Sequence, residues 1–195
     1  MSGVVAAMAA NLVVRGLHAM IRPATILGCF LAGAAFCSLV INWERRRDRE
    51  SLFAVPVLVE ALLLALLALP AASHHLQFAL CILSFSMGLQ NAIITKISHA
   101  EIRTTHVTGM ITDIGIEIGR ALYWNRSGRE PVVHSDRRHL LLLSLLVGLF
   151  FSGGAFGAFA YPHFGFQILL PIAVFMAVFT IAPITTDIRS AAVAH

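Results

Sequence analysis

Charge is scarce in this chain. Of its 195 residues, 12% are Asp, Glu, Lys or Arg and 58% are apolar, with a mean hydropathy of +0.82. A soluble domain carries about 25% charged and about 45–50% apolar residues. So few charges cannot cover a water-facing surface, which excludes a soluble enzyme core. So much apolar side chain excludes intrinsic disorder. Cysteine is also sparse. Cys29, Cys37 and Cys81 all fall inside apolar runs at no metal-ligand spacing, and read as small buried hydrophobes rather than a disulfide framework. No activated-serine motif, zinc-protease spacing or nucleotide fingerprint is present, so neither an enzyme nor a cofactor or metal site is expected. The N-terminus lacks a basic stretch followed by a continuous apolar core, the pattern of a signal peptide.

Long apolar runs are what the chain has in quantity. A spanning helix needs about 20 mostly apolar residues. Five runs qualify: span A at 24–41, B at 52–71, C at 76–94, D at 140–160 and E at 166–184. The expected fold is an all-α polytopic bundle, with the lipid bilayer as its main partner. Short connectors join B to C and D to E, so each pair is expected to form an antiparallel hairpin. Residues 1–23 are interrupted by Asn11, Arg15, His18 and Arg22, and the segment between C and D is charged.

The 14 Lys and Arg against 10 Asp and Glu do not point to nucleic acid, because they sit between apolar runs. They read as topology signals. Arg45, Arg46, Arg47 and Arg49 follow span A. Lys96, Arg103, Arg120, Arg126, Arg129, Arg137 and Arg138 lie between C and D, and Arg189 follows E. If the five spans alternate, these twelve share one face and only Arg15 and Arg22 take the other. The expectation is a cytoplasmic C-terminus and an outer N-terminus.

An internal repeat is legible at a shift of 120. Gly28, Phe30, Gly33, Ala35 and Phe36 recur as Gly148, Phe150, Gly153, Ala155 and Phe156. Pro56 and Pro171 both sit near the start of the next span, and Ser2-Gly3 parallels Thr108-Gly109. The second unit, 76–184, reads as span, Thr-Gly segment, span, span. The first, 1–71, has the same order without its leading span. Three spans per unit would force the units into opposite orientations, giving an inverted 3+3 repeat whose first span is missing.

The Thr-Gly segment, 104–124, has basic flanks and is expected to re-enter the membrane or lie along its surface. On a helical wheel Val107, Met110, Ile111, Ile114, Ile118, Ala121 and Leu122 form an apolar arc. Thr108, Thr112, Gly115 and Gly119 form a small-residue stripe, while Asp113, Glu117 and Arg120 share a polar face. A Thr-Gly turn at a helix start offers hydroxyl and N–H groups that suit an anion. The competing reading is that Thr104, Thr105 and Thr108 cap the helix, with Glu117 and Arg120 a surface pair.

Within the spans, Glu60 is a carboxyl at mid-depth with no basic residue in any other span to pair with. It is either a proton-coupling group or a tolerated carboxyl. Gln90 and Asn91 bring two amides to the inner end of span C, to bind solute or satisfy freed backbone groups. Gly153 and Gly157 form a small-xxx-small pair, read as close helix packing. His74, His75 and His163 on the outer connectors read as interfacial polar caps.

The stretch Met87-Gly88-Leu89-Gln90-Asn91-Ala92, followed by Arg103-Thr104-Thr105-His106-Val107-Thr108-Gly109, resembles the YoaK-like family of bacterial membrane proteins. The resemblance covers most of the chain. It implies a six-span protein of the bacterial cytoplasmic membrane, of unknown function, in which a leading span precedes a Thr-Gly-Asn motif. Here Ser2-Gly3-Val4 stands at that place. The expected function is small-solute secondary transport or permeation. Gln90, Asn91, Thr105, His106, Thr108 and Gly109 are the candidate solute contacts, and Glu60 and Asp113 the candidate proton carriers. The alternative is a non-transporting scaffold that binds anionic lipid or a cytoplasmic partner. A homo-oligomer is compatible with either.

Overall fold

The computed structural model describes residues 1–14, 16–46, 52–69, 75–97, 107–123 and 134–193, with side chains described to residue 181. The elements in these stretches are helical, with no strand among the described residues. They are α1 (Ser2–Val14), α2 (Leu17–Arg45), α3 (Ala54–Ala68), α4 (Leu76–Ile97), α5 (Val107–Leu122), α6 (Arg137–Phe164), a 3₁₀ turn (Gly165–Ile168) and α7 (Leu169–Val193). Three helical stretches are long and apolar enough to cross a membrane: Leu17–Arg45, Leu76–Ile97 and Arg137–Ile181. At 1.5 Å per residue α2 extends about 43 Å and α4 about 33 Å, enough for a hydrocarbon core of about 30 Å. The apolar helix α3 reaches only about 22 Å.

Two glycines break the helical run. Gly16 (φ 81°) separates α1 from α2, and Gly165 (φ 56°) ends α6. Both angles fall in the left-handed region, where a side chain costs energy. The N–H of Gly165 still donates to the carbonyl of Tyr161. The rings of Tyr161 and Phe166 meet edge-on across this turn, with centroids 5.3 Å apart.

The core is the pairing of α2 with α4. These helices run parallel. Arg22 and Pro23 lie beside Leu76 and Gln77 at one end, and Lys96 Nζ donates to Asn42 Oδ1 at the other, 3.4 Å away. Midway, the two backbones touch. A Cβ on Gly33 would overlap the carbonyl of Phe85, and one on Gly88 would overlap the carbonyl of Phe30. Both helices therefore use the same device, a phenylalanine three residues before a glycine, and the contacts are reciprocal. Without water to drive association, such backbone proximity supplies the van der Waals contact that holds membrane helices together. Cys37, Ile41, Leu89 and Ile93 fill the seam below, flanked by the Phe36 and Phe85 rings at 5.8 Å.

Helix α3 packs against α4 and, more extensively, against α7. Leu67, Ala79 and Ile82 form a second buried cluster with Phe166 and Leu169 at that junction. Helix α1 lies against α2, and α5 against the first part of α6. The expected D–E hairpin is not formed as a packed pair: α6 rests on α5 and on the 3₁₀ turn rather than along α7. Most of its surface is bare, with only Leu143 and Ala160 buried. Among the described residues the close packing expected at Gly153 and Gly157 is also absent, since a Cβ at either position would meet no neighbour within 4 Å. Close packing occurs instead at Gly33 and Gly88. The glycine pattern supplies a smooth face, and only an adjacent helix turns that face into a contact.

Candidate functional site

Helices α1 and α5 begin at the same place. Met1 and Ser2 from α1, Val107 and Thr108 from α5, Asn91 and Met87 from α4, and Phe30 from α2 line one cavity of about 430 Å³. Phe30 and Met87 lie about halfway along their helices, beside the glycine crossing. The first turns of the two short helices therefore sit at the middle depth of the α2–α4 pair. From there α1 runs antiparallel to α2: Ser2 neighbours Phe30 at the cavity, and Asn11 neighbours Arg22 and Ile26 at the far end. Helix α5 runs toward the start of α6, where Glu117 meets Asp136.

A helix start leaves its first N–H groups without intrahelical partners and carries a partial positive charge. Two such starts line this cavity. None of its seven lining residues is acidic or basic. The lining side chains are uncharged and partly polar, with a field from the helix starts that favours an anion or the negative end of a polar solute. Thr108 lies in the first turn of α5, with its carbonyl taken by the Thr112 hydroxyl at 2.9 Å. The Asn91 side chain donates from Nδ2 to the Met87 carbonyl at 2.7 Å, which satisfies backbone while keeping the amide at the cavity wall.

Gln90, expected beside Asn91 as a solute contact, faces elsewhere. Its Nε2 donates to Glu60 Oε1 across the α3–α4 interface. Glu60 is 1% exposed. The buried carboxyl thus has a neutral amide partner, a donor that a search for basic residues overlooks. The two adjacent amides divide, one to the cavity and one to the carboxyl, because successive helical positions are 100° apart.

Gly109 follows Thr108 in the first turn and is exposed. Asp113 is exposed on α5 and is not among the cavity residues. Thr105 and His106 lie outside the described residues. The small stripe of α5 is bare, with nothing near a Cβ on Gly115 or Gly119. No cluster of metal-ligating side chains occurs among the described residues.

Glu117 is more than a surface partner of Arg120. It is 4% exposed. Its Oε1 accepts from Arg120 Nη1 at 2.6 Å, and its Oε2 accepts the backbone N–H of Asp136 at 2.8 Å. Asp136 caps α6, its Oδ1 accepting from the N–H groups of Arg138 (2.9 Å) and His139 (3.1 Å). The Asp136 N–H, with Arg120 adding to it, holds the Glu117 carboxyl below its ordinary range. The two cap N–H groups do the same for Asp136. This is a latch between α5 and α6. Sequence reading missed it because nineteen residues separate the partners. The Asp136 cap, next to Arg137 and Arg138, was its only local sign.

The chain matches the family described as Protein of unknown function (DUF1275) over residues 1–182. Comparisons with curated proteins and with solved structures gave no match. The chain belongs to the DUF1275 family.

Proposed function

We propose that this DUF1275 member is a small-solute secondary transporter or permease of a cell membrane, with its solute site in the cavity between α1 and α5. One observation carries the reading: two helix starts meet in a cavity lined by uncharged side chains, beside the midpoints of two long apolar helices. Half-helices with N-termini pointed at solute are a recurring transporter device. Irregular backbone at that depth is tolerated where it lines a wet cavity.

The order of elements supports two inverted units. Helices α1, α2 and α3 correspond to α5, α6 and α7, and in each set the short helix lies against the long one that follows. In this reading α2, α3, α4, α6 and α7 all cross. The parallel course of α2 and α4 groups Arg45, Arg46 and Lys96 at one end, as an inward-facing basic side requires. The resemblance to YoaK-like proteins supports a bacterial inner membrane. Asn91 and Thr108 contact the solute, with Ser2 and Gly109 beside them; Thr105 and His106 remain candidate contacts from the sequence alone. Glu60 is the proton-coupling group and Gln90 its positioning partner. Exposed Asp113 is the weaker candidate for that role. The protein does no covalent chemistry.

Flux tests this. Purified full chain in proteoliposomes is expected to admit one or more members of a panel of small anions and neutral polar solutes. Thr108→Val and Asn91→Leu are expected to abolish that flux while the protein elutes unchanged on gel filtration. Flux untouched by both substitutions overturns the site. An inert wild type against the whole panel favours the scaffold reading.

A further inference from the structure

At the outer edge of the α5–α6 latch lies a larger cavity of about 710 Å³. Its polar wall comes from Arg120 and Tyr123 at the end of α5 and from His134, Ser135 and Arg137 at the start of α6. Among the described residues, no carboxylate lines it. Glu117 and Asp136, acids on the adjoining turns, face other partners: Glu117 binds Arg120 and the Asp136 N–H, and Asp136 binds the cap of α6. The Arg120 side chain is still 50% exposed. Its planar head retains further N–H groups for an anion.

The opposite wall is apolar. Leu140 and Leu141 line it, and Arg137 opens the apolar stretch that runs to Ile181. From Leu141 the exposed face continues to Leu145 and Leu149, at 71%, 61% and 59% exposure. These positions are four residues apart, so they stack on one side of α6. A cationic, hydroxyl-bearing cavity at the end of a spanning stretch thus opens onto a greasy track.

We infer that this cavity binds the phosphate of an anionic phospholipid, with Arg120 and Arg137 on the headgroup and an acyl chain along Leu141, Leu145 and Leu149. A soluble phosphate would satisfy the arginines but leave the track bare. Basic pockets at the cytoplasmic ends of membrane helices recognise such headgroups. The inference does not depend on transport, because none of these residues lines the cavity between α1 and α5.

The experiment is native mass spectrometry of the full chain released from nanodiscs of mixed phosphatidylglycerol and phosphatidylcholine. Wild type is expected to retain phosphatidylglycerol preferentially. The Arg120→Gln/Arg137→Gln double variant is expected to lose that preference by about tenfold. Arg45→Gln/Arg46→Gln, which removes equal charge elsewhere, and Leu145→Ser, which breaks the track, separate the causes. The first is expected to leave the preference intact and the second to weaken it. Equal retention of the two lipids by wild type overturns the site. So does an equal loss in the Arg45/Arg46 variant, which would mean general charge attraction. Displacement by inorganic phosphate at the concentration of bound lipid, with no effect of Leu145→Ser, reassigns the pocket to a soluble anion and overturns the lipid.

Discussion

Helices α2 and α6 carry the same pattern and live in opposite surroundings. Phe30, Gly33 and Phe36 on α2 recur as Phe150, Gly153 and Phe156 on α6. On α2 the glycine is pressed against the α4 backbone, and Phe36 packs on Phe85. On α6 the glycine touches nothing, while Phe150 and Phe156 are 56% and 65% exposed. The pattern alone therefore has no fixed energetic meaning. A glycine stabilises a membrane helix pair only where a second backbone comes close enough to use the missing side chain.

The largest expected effect is at that contrast. Gly33→Leu or Gly88→Leu forces the α2 and α4 backbones apart, and is expected to cost about 1–3 kcal/mol or more. Gly153→Leu is expected to stay within about 0.5 kcal/mol. Unfolding by denaturing detergent, followed by circular dichroism, reads both. A Gly153 variant as damaged as the Gly33 variant would break the comparison and show that α6 is covered.

The two buried glutamates sharpen the same contrast. Glu60 sits in the packed half with one amide partner, so Gln90→Leu strands a buried carboxyl and is expected to cost about 1–3 kcal/mol. The Glu60→Leu/Gln90→Leu double variant is expected to recover most of that loss, because no polar group is then left unpaired. A double-mutant cycle in the same assay checks it. An additive double variant would mean that the two side chains do not act together.

Glu117 holds the bare half, and its effect is smaller and depends on pH. Glu117 and Asp136 both ionise below their ordinary values of 4.5 and 3.8. A depressed carboxyl contributes stability above its unfolded value and loses it as pH falls through the folded value. The α5–α6 latch is therefore complete at neutral pH and opens only as pH falls below the ordinary carboxylate range. Spin labels at Thr112 and Ser144 are expected to separate there, while a pair spanning α2 and α4 holds its distance. Glu117→Gln is expected to loosen the latch at neutral pH and flatten its acid response. An unchanged acid response would assign the opening to another group. The smallest effect expected is Gly115→Ala on the bare stripe of α5, which should leave melting unchanged.

Much of the architecture was legible because the bilayer imposes length. Apolar runs marked the long helices, but the apolar arc of α5 only partly marked its buried side: Met110 is buried, Ile111, Ile118 and Leu122 are exposed, and Glu117 from the expected polar face is buried. Less of the site was legible. Asn91 and Thr108 do meet at one cavity, but the partner of Glu60 was sought among cations and is an amide. Ser2, Phe30 and Met87 gained their place from the helix crossing, to which Gly33 and Gly88 were the available clue. Glu44, which lies beyond the expected end of span A, is fully buried at the end of α2.

By itself the sequence determined the solvent and the periodicity. Long apolar runs with few charges suit helices of membrane-spanning length, since unpaired backbone polar groups are too costly in lipid. Tertiary structure alone decided which faces meet. It brought Ser2 beside Thr108, set Gln90 on Glu60 and left Gly153 bare, although Gly153 stands in the same local sequence pattern as Gly33. The reason is physical: periodicity is a property of one helix, whereas contact and cavity depend on the relative placement of two or more.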